Sequence, residues 1–174
     1  MSRLIDTDAK LLVKTQQTFK NKYLDKFFTI YTHTGDLGAI WGVVGLVLFV
    51  IQETRETAVV MMLSLVATWL FNTVFLKRFL KRTRPYEMVE GVRLLINPQR
   101  DTSFPSGHAA SSLACAVVII VMYGGALGWL ALGADLLMAF SRVYVGVHYP
   151  LDVLVGSIVG TLVAFLVVWV YSSV

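Results

Sequence analysis

Long apolar runs, separated by short polar or glycine-containing stretches, dominate the pattern of hydrophobic and polar positions. They extend from Leu37 to Gln52, from Thr57 to Leu76, from Ala109 to Tyr123, from Ala126 to Val145 and from Asp152 to Val174. Each approaches or exceeds the roughly 18 to 20 residues with which an α-helix crosses a bilayer. The pattern therefore predicts an all-α fold, a polytopic membrane helical bundle with about five transmembrane helices.

A different pattern precedes the first run. Between residues 5 and 31, apolar side chains recur mostly every three or four positions with lysines between them, as in an amphipathic helix. We expect this helix to lie on the membrane surface, because no soluble core is evident against which a solvated helix could pack. The chain is then expected to form one domain over residues 1–174, with an interfacial helix in 1–34 and a transmembrane core in 35–174.

Composition agrees with a membrane protein. Of the 174 residues, 56% are hydrophobic and 15% are charged, whereas roughly 25% are charged in soluble domains. The single cysteine, Cys115, lies in an apolar run, which excludes a disulfide framework and a cysteine-based zinc site. The net charge of +4 comes without a motif that reads nucleic acid. We therefore expect the lipid bilayer and a negatively charged membrane substrate as partners, and no nucleic acid; the oligomeric state is left open.

Counting the membrane crossings brings distant polar residues together. The end of the second run, the start of the third, the end of the fourth and the start of the fifth must share one side of the membrane. Those positions carry three cations, two histidines and a carboxylate: Lys77, Arg84, Arg142, His108, His148 and Asp152. Because cations can neutralise phosphate oxygens while a histidine attacks phosphorus, this constellation indicates phosphoryl chemistry.

The same residues belong to three spaced motifs. The first motif is Lys77 followed, after six intervening residues, by Arg84-Pro85. The second motif is Pro105-Ser106-Gly107-His108. The third motif is Ser141-Arg142 followed, after five intervening residues, by His148 and, after three more, by Asp152. The set resembles, at every fixed position, the three signature motifs of the type 2 phosphatidic acid phosphatase (PAP2) family, which includes small bacterial membrane lipid phosphatases. The resemblance covers Lys77 to Asp152.

The resemblance implies a role for each motif residue. His148 is the expected nucleophile, which forms a phosphohistidine; Asp152 orients it, and His108 acts first as general acid and then as general base. The substrate phosphate is expected to be bound by Lys77, Arg84, Ser106, Gly107 and Arg142. Since these groups supply positive charge and no convincing carboxylate cluster is present, we expect no metal and no cofactor. A magnesium requirement would instead point to Asp101, Glu87 or Glu90.

The expected function is hydrolysis of the terminal phosphate of a membrane lipid phosphate or diphosphate. The resemblance implies undecaprenyl diphosphate, phosphatidylglycerol phosphate or phosphatidic acid as the substrate class, and we favour the polyprenyl diphosphate. Two alternatives stay open: a vanadate-dependent haloperoxidase-like enzyme and a non-catalytic lipid phosphate binder or transporter. The apolar runs disfavour the first, and the presence of both histidines and the aspartate disfavours the second.

Two arguments disagree on membrane orientation. By the crossing count, fourteen of the fifteen Lys and Arg residues lie on the active-site side, which the positive-inside rule places in the cytoplasm. The resemblance instead implies an active site on the outer face. For this multi-pass protein of the cell membrane, we favour the outer, extracytoplasmic face.

The remaining polar residues have simpler expected roles. His33 has no partner motif and is expected to be an interfacial side chain, and the anchors that reach lipid headgroups are expected to be Arg78, Lys81 and Arg82. Asp135 lies deep in the fourth run, where it needs a proton or a partner, and Asn72 is one candidate. Gly156 and Gly160 are expected to allow close packing inside the bundle.

Overall fold

The computed structural model describes residues 2–174, with side chains from residue 6 onward, and the regular secondary structure in that range is helical. The longer helices are α1 (Ser2–Thr18), α2 (Lys22–Thr34), α3 (Ala39–Val50), α4 (Arg55–Leu70), α7 (Gly107–Met122), α8 (Gly125–Tyr144) and α9 (Pro150–Ser172). A π-helical segment, Phe71–Leu76, continues α4 into the short helix α5 (Lys77–Phe79), and α6 (Pro85–Met88) is a single turn.

The expected bundle of membrane-capable helices is confirmed, but three or four stretches of the described chain, rather than about five, are long and apolar enough to cross a membrane. Within the described part of the chain, three helical stretches are long and apolar enough to cross a membrane: Gln52–Phe79, Gly125–Tyr144 and Pro150–Ser172. Helix α2 and residues Asp36–Val50 qualify only as a pair bent by 59°. Helix α7 has 16 residues, or about 24 Å, because the chain before Gly107 is not helical.

The N-terminal segment departs from the expectation of one amphipathic helix over residues 5–31. It forms two helices, because Asn21 caps α2: its side chain accepts a hydrogen bond from the Tyr23 backbone N–H at 2.8 Å. Asparagine is among the residues most favoured at this position, since its side chain satisfies an otherwise unpaired helix N–H. Both helices pack against α8.

Helix α7 is at the centre of the bundle and packs against α4, α8 and α9. On α9, a side chain added at Gly160 would collide with the carbonyl oxygen of Ala110, and one at Gly156 with that of Ser106. The small residues therefore let two backbones approach each other within the chain. This confirms that the glycine pair serves packing inside the bundle.

The polar segment between α5 and α7 is tied to the loop that joins α8 to α9. The Leu95 N–H donates to the Val145 carbonyl at 3.1 Å, and Arg84 Nη1 donates to the Val147 carbonyl at 2.9 Å. The segment is thus more than a connection, because its hydrogen bonds hold the first motif beside the third.

Candidate active site

A cavity of about 670 Å³ lies where the three motifs meet. The expected site residues that line it are Lys77, Arg84, Gly107, His108, Arg142 and His148. Lys77 follows the π-helical segment, a departure from α-helical geometry that is frequent at functional sites. The structure therefore places on one cavity wall residues that are far apart in the sequence.

The cations of this wall are deeply placed. Arg84 is buried, and Arg142 is 1% exposed and donates from Nη1 to the Thr32 hydroxyl at 2.6 Å. Both Lys77 and Arg84 contact the carboxylate of Asp101. Burial by itself raises the pKa of Asp101, but the hydrogen bonds and charges of Lys77 and Arg84 outweigh it and lower that pKa to about 2. Two carboxylates, Asp101 and Asp36, against three cations leave the cavity with a net positive charge, which suits a bound anion.

His148 lies in the loop before α9 and is 1% exposed. Burial, together with the positive charges of Arg142, Arg84 and Lys77, holds the pKa of His148 well below its usual value. The imidazole is therefore neutral near pH 7, which is the form that can attack phosphorus. Its Nδ1 is 3.6 Å from Asp152 Oδ2, longer than a hydrogen bond.

Asp152 does not line the cavity but lies fully buried behind His148. Its Oδ2 accepts hydrogen bonds from the Tyr149 N–H at 2.9 Å and from the Ser103 hydroxyl, so that it caps α9. Its Oδ1 accepts from Arg82 at 2.5 Å. The carboxylate is thus fixed in place and faces the imidazole at close range.

The expectation that Arg82 reaches toward lipid headgroups is wrong. Besides Asp152, its guanidinium pairs with Asp8 of α1 at 2.7 Å and lies 3.8 Å from the centre of the Tyr149 ring. Asp8 in turn accepts the Leu151 N–H at 2.9 Å. Buried charges need partners, and only the fold brings Asp8 next to Arg82; the one sequence signal was that Arg82 is two residues before Arg84.

Ser106 is buried next to the cavity rather than on its wall. Its hydroxyl accepts from the Ala109 N–H at 3.5 Å and caps α7, so its contact with phosphate stays a prediction. Gly107 begins α7 at the cavity, where unpaired N–H groups and the helix dipole favour an anion. Asn72 is next to it, since a side chain at Gly107 would lie 3.1 Å from Asn72 Nδ2.

Among the described residues, Asn72 Oδ1 and Asp135 Oδ1 are both buried without a hydrogen-bond partner, so these two side-chain oxygens do not share one. Asn72 lines the cavity, whereas Asp135 is buried near Ser112. The Ser112 hydroxyl accepts a hydrogen bond from Trp41 Nε1 at 3.1 Å. The polar neighbour of Asp135 is therefore Ser112 on α7 rather than Asn72.

His108 and His33 share a partner that the sequence analysis did not identify. His108 Nε2 is 3.0 Å from Asp36 Oδ1, and His33 Nδ1 is 2.8 Å from Asp36 Oδ2. His33 is therefore not a solitary surface side chain. Asp36 was missed because it lies outside the three motifs.

Possible metal ligands do not cluster here. Over residues 2–174, no group of three or more His, Cys, Asp or Glu side chains is placed to hold a metal ion. Asp101 instead pairs with Lys77 and Arg84.

Comparison with known proteins gives a family match and several relatives. A model of the PAP2 superfamily matches residues 56–173. An undecaprenyl-diphosphatase of Sulfolobus acidocaldarius is 32% identical over 77% of this chain and 65% of its own length. The undecaprenyl-diphosphatase BcrC of Bacillus subtilis is 34% identical over 59% of this chain and 50% of its own length. The chain thus spans about half to two thirds of these curated relatives.

Solved structures resemble the chain over most of its length. The crystal structure of Aquifex aeolicus LpxE has a TM-score of 0.79 and 27% identity, and the match covers 91% of this chain and 93% of that one. A transmembrane PAP2 type phosphatidylglycerolphosphate phosphatase from Bacillus subtilis also has a TM-score of 0.79, with 25% identity over 100% of this chain and 89% of that one.

Proposed function

The chain belongs to the PAP2 superfamily, and we propose that it is an integral membrane phosphatase that hydrolyses the terminal phosphate of a lipid phosphate or diphosphate. The observation that carries the proposal is one cavity that combines Lys77, Arg84 and Arg142 with two histidines and the N-terminus of α7. This arrangement can hold a phosphate, attack it and protonate its leaving group.

The proposed reaction has two steps. In the first, the neutral imidazole of His148 attacks phosphorus, an N–P bond forms, the bond from phosphorus to the leaving oxygen breaks, and His108 gives that oxygen a proton. In the second, His108 takes a proton from water, whose oxygen attacks phosphorus and breaks the N–P bond. Asp152 stabilises the positive charge that His148 gains on phosphorylation.

The non-bridging phosphate oxygens are bound by Lys77, Arg84, Arg142 and the N–H of Gly107 in this proposal. Lys77 and Arg84 pair with the Asp101 carboxylate, so an incoming phosphate competes with this carboxylate for the same donors. The cations also stabilise the charge on phosphorus during transfer, which is the largest contribution in many such sites.

The other walls of the cavity fit a lipid substrate. Met62, Leu65, Val66 and Trp69 of α4 line it beside the charged residues. An apolar groove of about 470 Å³ between α3 and α4 shares Met62 and Val66 with the cavity. An acyl or prenyl tail can therefore remain among apolar side chains while its phosphate is bound. The names of the relatives from Sulfolobus and Bacillus support a polyprenyl diphosphate as the substrate.

The proposal is tested with the purified protein in detergent, by measuring phosphate release from undecaprenyl diphosphate, phosphatidylglycerol phosphate and phosphatidic acid. We expect release from at least one lipid, with undecaprenyl diphosphate the fastest. Binding of these lipids without release would support a binder or transporter. Oxidation of bromide by added hydrogen peroxide in the presence of vanadate, without phosphatase activity, would support a haloperoxidase-like enzyme.

We also expect EDTA to leave the rate of phosphate release nearly unchanged. The reason is that Lys77, Arg84 and Arg142 supply the positive charge that a divalent cation brings to other phosphatases. The measurement compares rates after dialysis against EDTA with rates after magnesium is added back. A loss on dialysis that magnesium restores would refute the metal-independent mechanism.

The proposed location of the active site is the outer face of the cell membrane. Several cations of the active-site side are engaged within the protein, since Arg82 pairs with Asp8 and Asp152, and Arg93 pairs with Asp25. These cations are therefore weak markers of a cytoplasmic loop, which reduces the disagreement with the positive-inside rule.

A reporter fused after Val174 distinguishes the two orientations. Helix α9 starts beside the site and has 23 residues, or about 34 Å, so its end is on the opposite side of the membrane. We expect green fluorescent protein to fluoresce there and alkaline phosphatase to be inactive, as for a cytoplasmic C-terminus. The reverse result would place the active site in the cytoplasm.

A further inference from the structure

Asp36 stands at the kink between α2 and α3 and faces the cavity. Its two carboxylate oxygens contact two histidines, His108 Nε2 at 3.0 Å and His33 Nδ1 at 2.8 Å. The family model matches from residue 56 onward, so Asp36 is outside the matched region. The contact to His108 therefore comes from a part of the chain that the family motifs do not describe.

The backbone of the kink lies directly against the His108 side chain. Leu37 and Gly38 have φ angles of 54° and 71°, in the left-handed region. Leu37 is 97% exposed, so burial of its side chain does not offset this unfavourable conformation. A side chain at Gly35 would lie 2.7 Å from His108 Cδ2. Strained backbone of this kind persists where the surrounding structure requires it, often at functional sites.

We propose that Asp36 is a positioning residue for His108, so that the cavity contains two carboxylate–histidine pairs, Asp152 with His148 and Asp36 with His108. The inference rests on the proposed phosphatase function and adds a second carboxylate, Asp36, that orients a catalytic histidine. His33 holds the other oxygen of Asp36 and thereby fixes the rotation of the carboxylate.

The second pair has a defined chemical consequence. With Asp36 on Nε2, the neutral ring of His108 carries its proton there, and Nδ1 is the nitrogen left to serve the substrate and water. The charged or titratable groups that act on this ring include Asp36 from the kink, Arg142 from α8, Lys77 from α5 and His148 from the loop before α9. When both ring nitrogens of His108 are protonated, the negative charge of Asp36 offsets the repulsion between the imidazolium and the positive charges of Arg142 and Lys77.

This arrangement predicts an effect that depends on the leaving group. Asp36→Asn removes the charge, and its amide N–H₂ can donate to Nε2 and force the wrong tautomer. An alkoxide needs a proton in order to leave, whereas an activated phenolate does not. We therefore expect kcat/KM, which reports the steps up to departure of the leaving group, to fall on the order of 10- to 100-fold on a lipid monoester and less on an aryl phosphate.

The experiment measures kcat and KM on phosphatidic acid and on p-nitrophenyl phosphate for Asp36→Asn, Asp36→Ser and Asp36→Glu, with Asp6→Asn as the matched control on the exposed face of α1. Thermal unfolding midpoints check folding. The Asn and Ser variants should both show this difference in kcat/KM between the substrates, Glu should recover part of kcat/KM, and the control should match the wild type.

Equal losses on the two substrates, or wild-type rates in a folded Asn or Ser variant, would overturn the role of Asp36 and leave the phosphatase function intact. If one variant does not fold, the other decides by the same comparison. Failure of the wild-type protein on every lipid and on the aryl phosphate would instead refute the proposed function.

Discussion

The change His148→Ala is expected to abolish phosphate release from every substrate. Removal of a catalytic nucleophile costs on the order of 10⁶-fold in kcat, or about 8 kcal/mol of transition-state stabilisation. The loss should be as large for an activated aryl phosphate as for a lipid, because both require the same attack on phosphorus. The measurement is kcat on both substrates, with purified protein in detergent.

Anion binding by the His148→Ala variant shows whether activity is lost because the nucleophile is missing or because the protein is unfolded. Lys77, Arg84 and Arg142 hold their positions through Asp101, Val147 and Thr32 and not through His148. We therefore expect His148→Ala to bind vanadate or phosphate weakly and to unfold at a temperature near that of the wild type. A folded variant with substantial turnover would remove His148 from the mechanism.

The second large effect concerns His108 and differs between substrates. If His108 protonates the leaving group, His108→Ala should lose most activity on a lipid monoester and much less on an aryl phosphate, whose phenolate leaves without a proton. The expected difference is the 10²- to 10⁴-fold typical of general acid catalysis, or about 3 to 5 kcal/mol. Values of kcat/KM on both substrates provide the test, because kcat/KM reports the steps up to departure of the leaving group and excludes the later attack of water.

Equal losses on the two substrates would contradict this assignment. His108 would then be better described as a group that positions phosphate or activates water, with the proton supplied by solvent or by another side chain. Comparison with His148→Ala is the internal control, since that variant should fail equally on both substrates.

The helical core was predictable because a bilayer imposes a simple rule on the sequence. A helix that crosses it must be apolar over most of its length, and the runs that became α4, α8 and α9 meet that rule. The crossing count then brought Lys77, His108 and the third motif to one side, and the cavity confirms that they meet.

The break at Asn21 and the kink at Leu37 were not predictable from hydrophobic periodicity. Apolar positions recur with the same spacing on both sides of Asn21, and the preference of asparagine for helix starts is too small to decide the point alone. At Leu37, a left-handed conformation runs against the preference of the residue. Tertiary packing against α7 and α8 therefore shapes these connections.

Asp8, Asp36 and Asp101 were missed as partners of the motif residues for a related reason. Each is a carboxylate that pairs with a cation or histidine at least 24 residues away in the sequence: Arg82, His108 and Lys77, respectively. Spacing along the chain identifies neighbours within a helix but carries no information about such contacts. Lys77 and His108 were recognised through their motifs and Arg82 was not, and the carboxylate partners of all three became visible only in the fold.

The central claim, a phosphohistidine at His148, is tested most directly by trapping it. His108→Ala and the double variant with His148→Ala are mixed with radiolabelled aryl phosphate, quenched and mapped by peptide analysis. In the single variant the phenolate still leaves but water is poorly activated, so we predict an acid-labile, alkali-stable label on the peptide that contains His148, and no label in the double variant. Turnover without any protein-bound phosphate, or the same label in the double variant, would contradict the account.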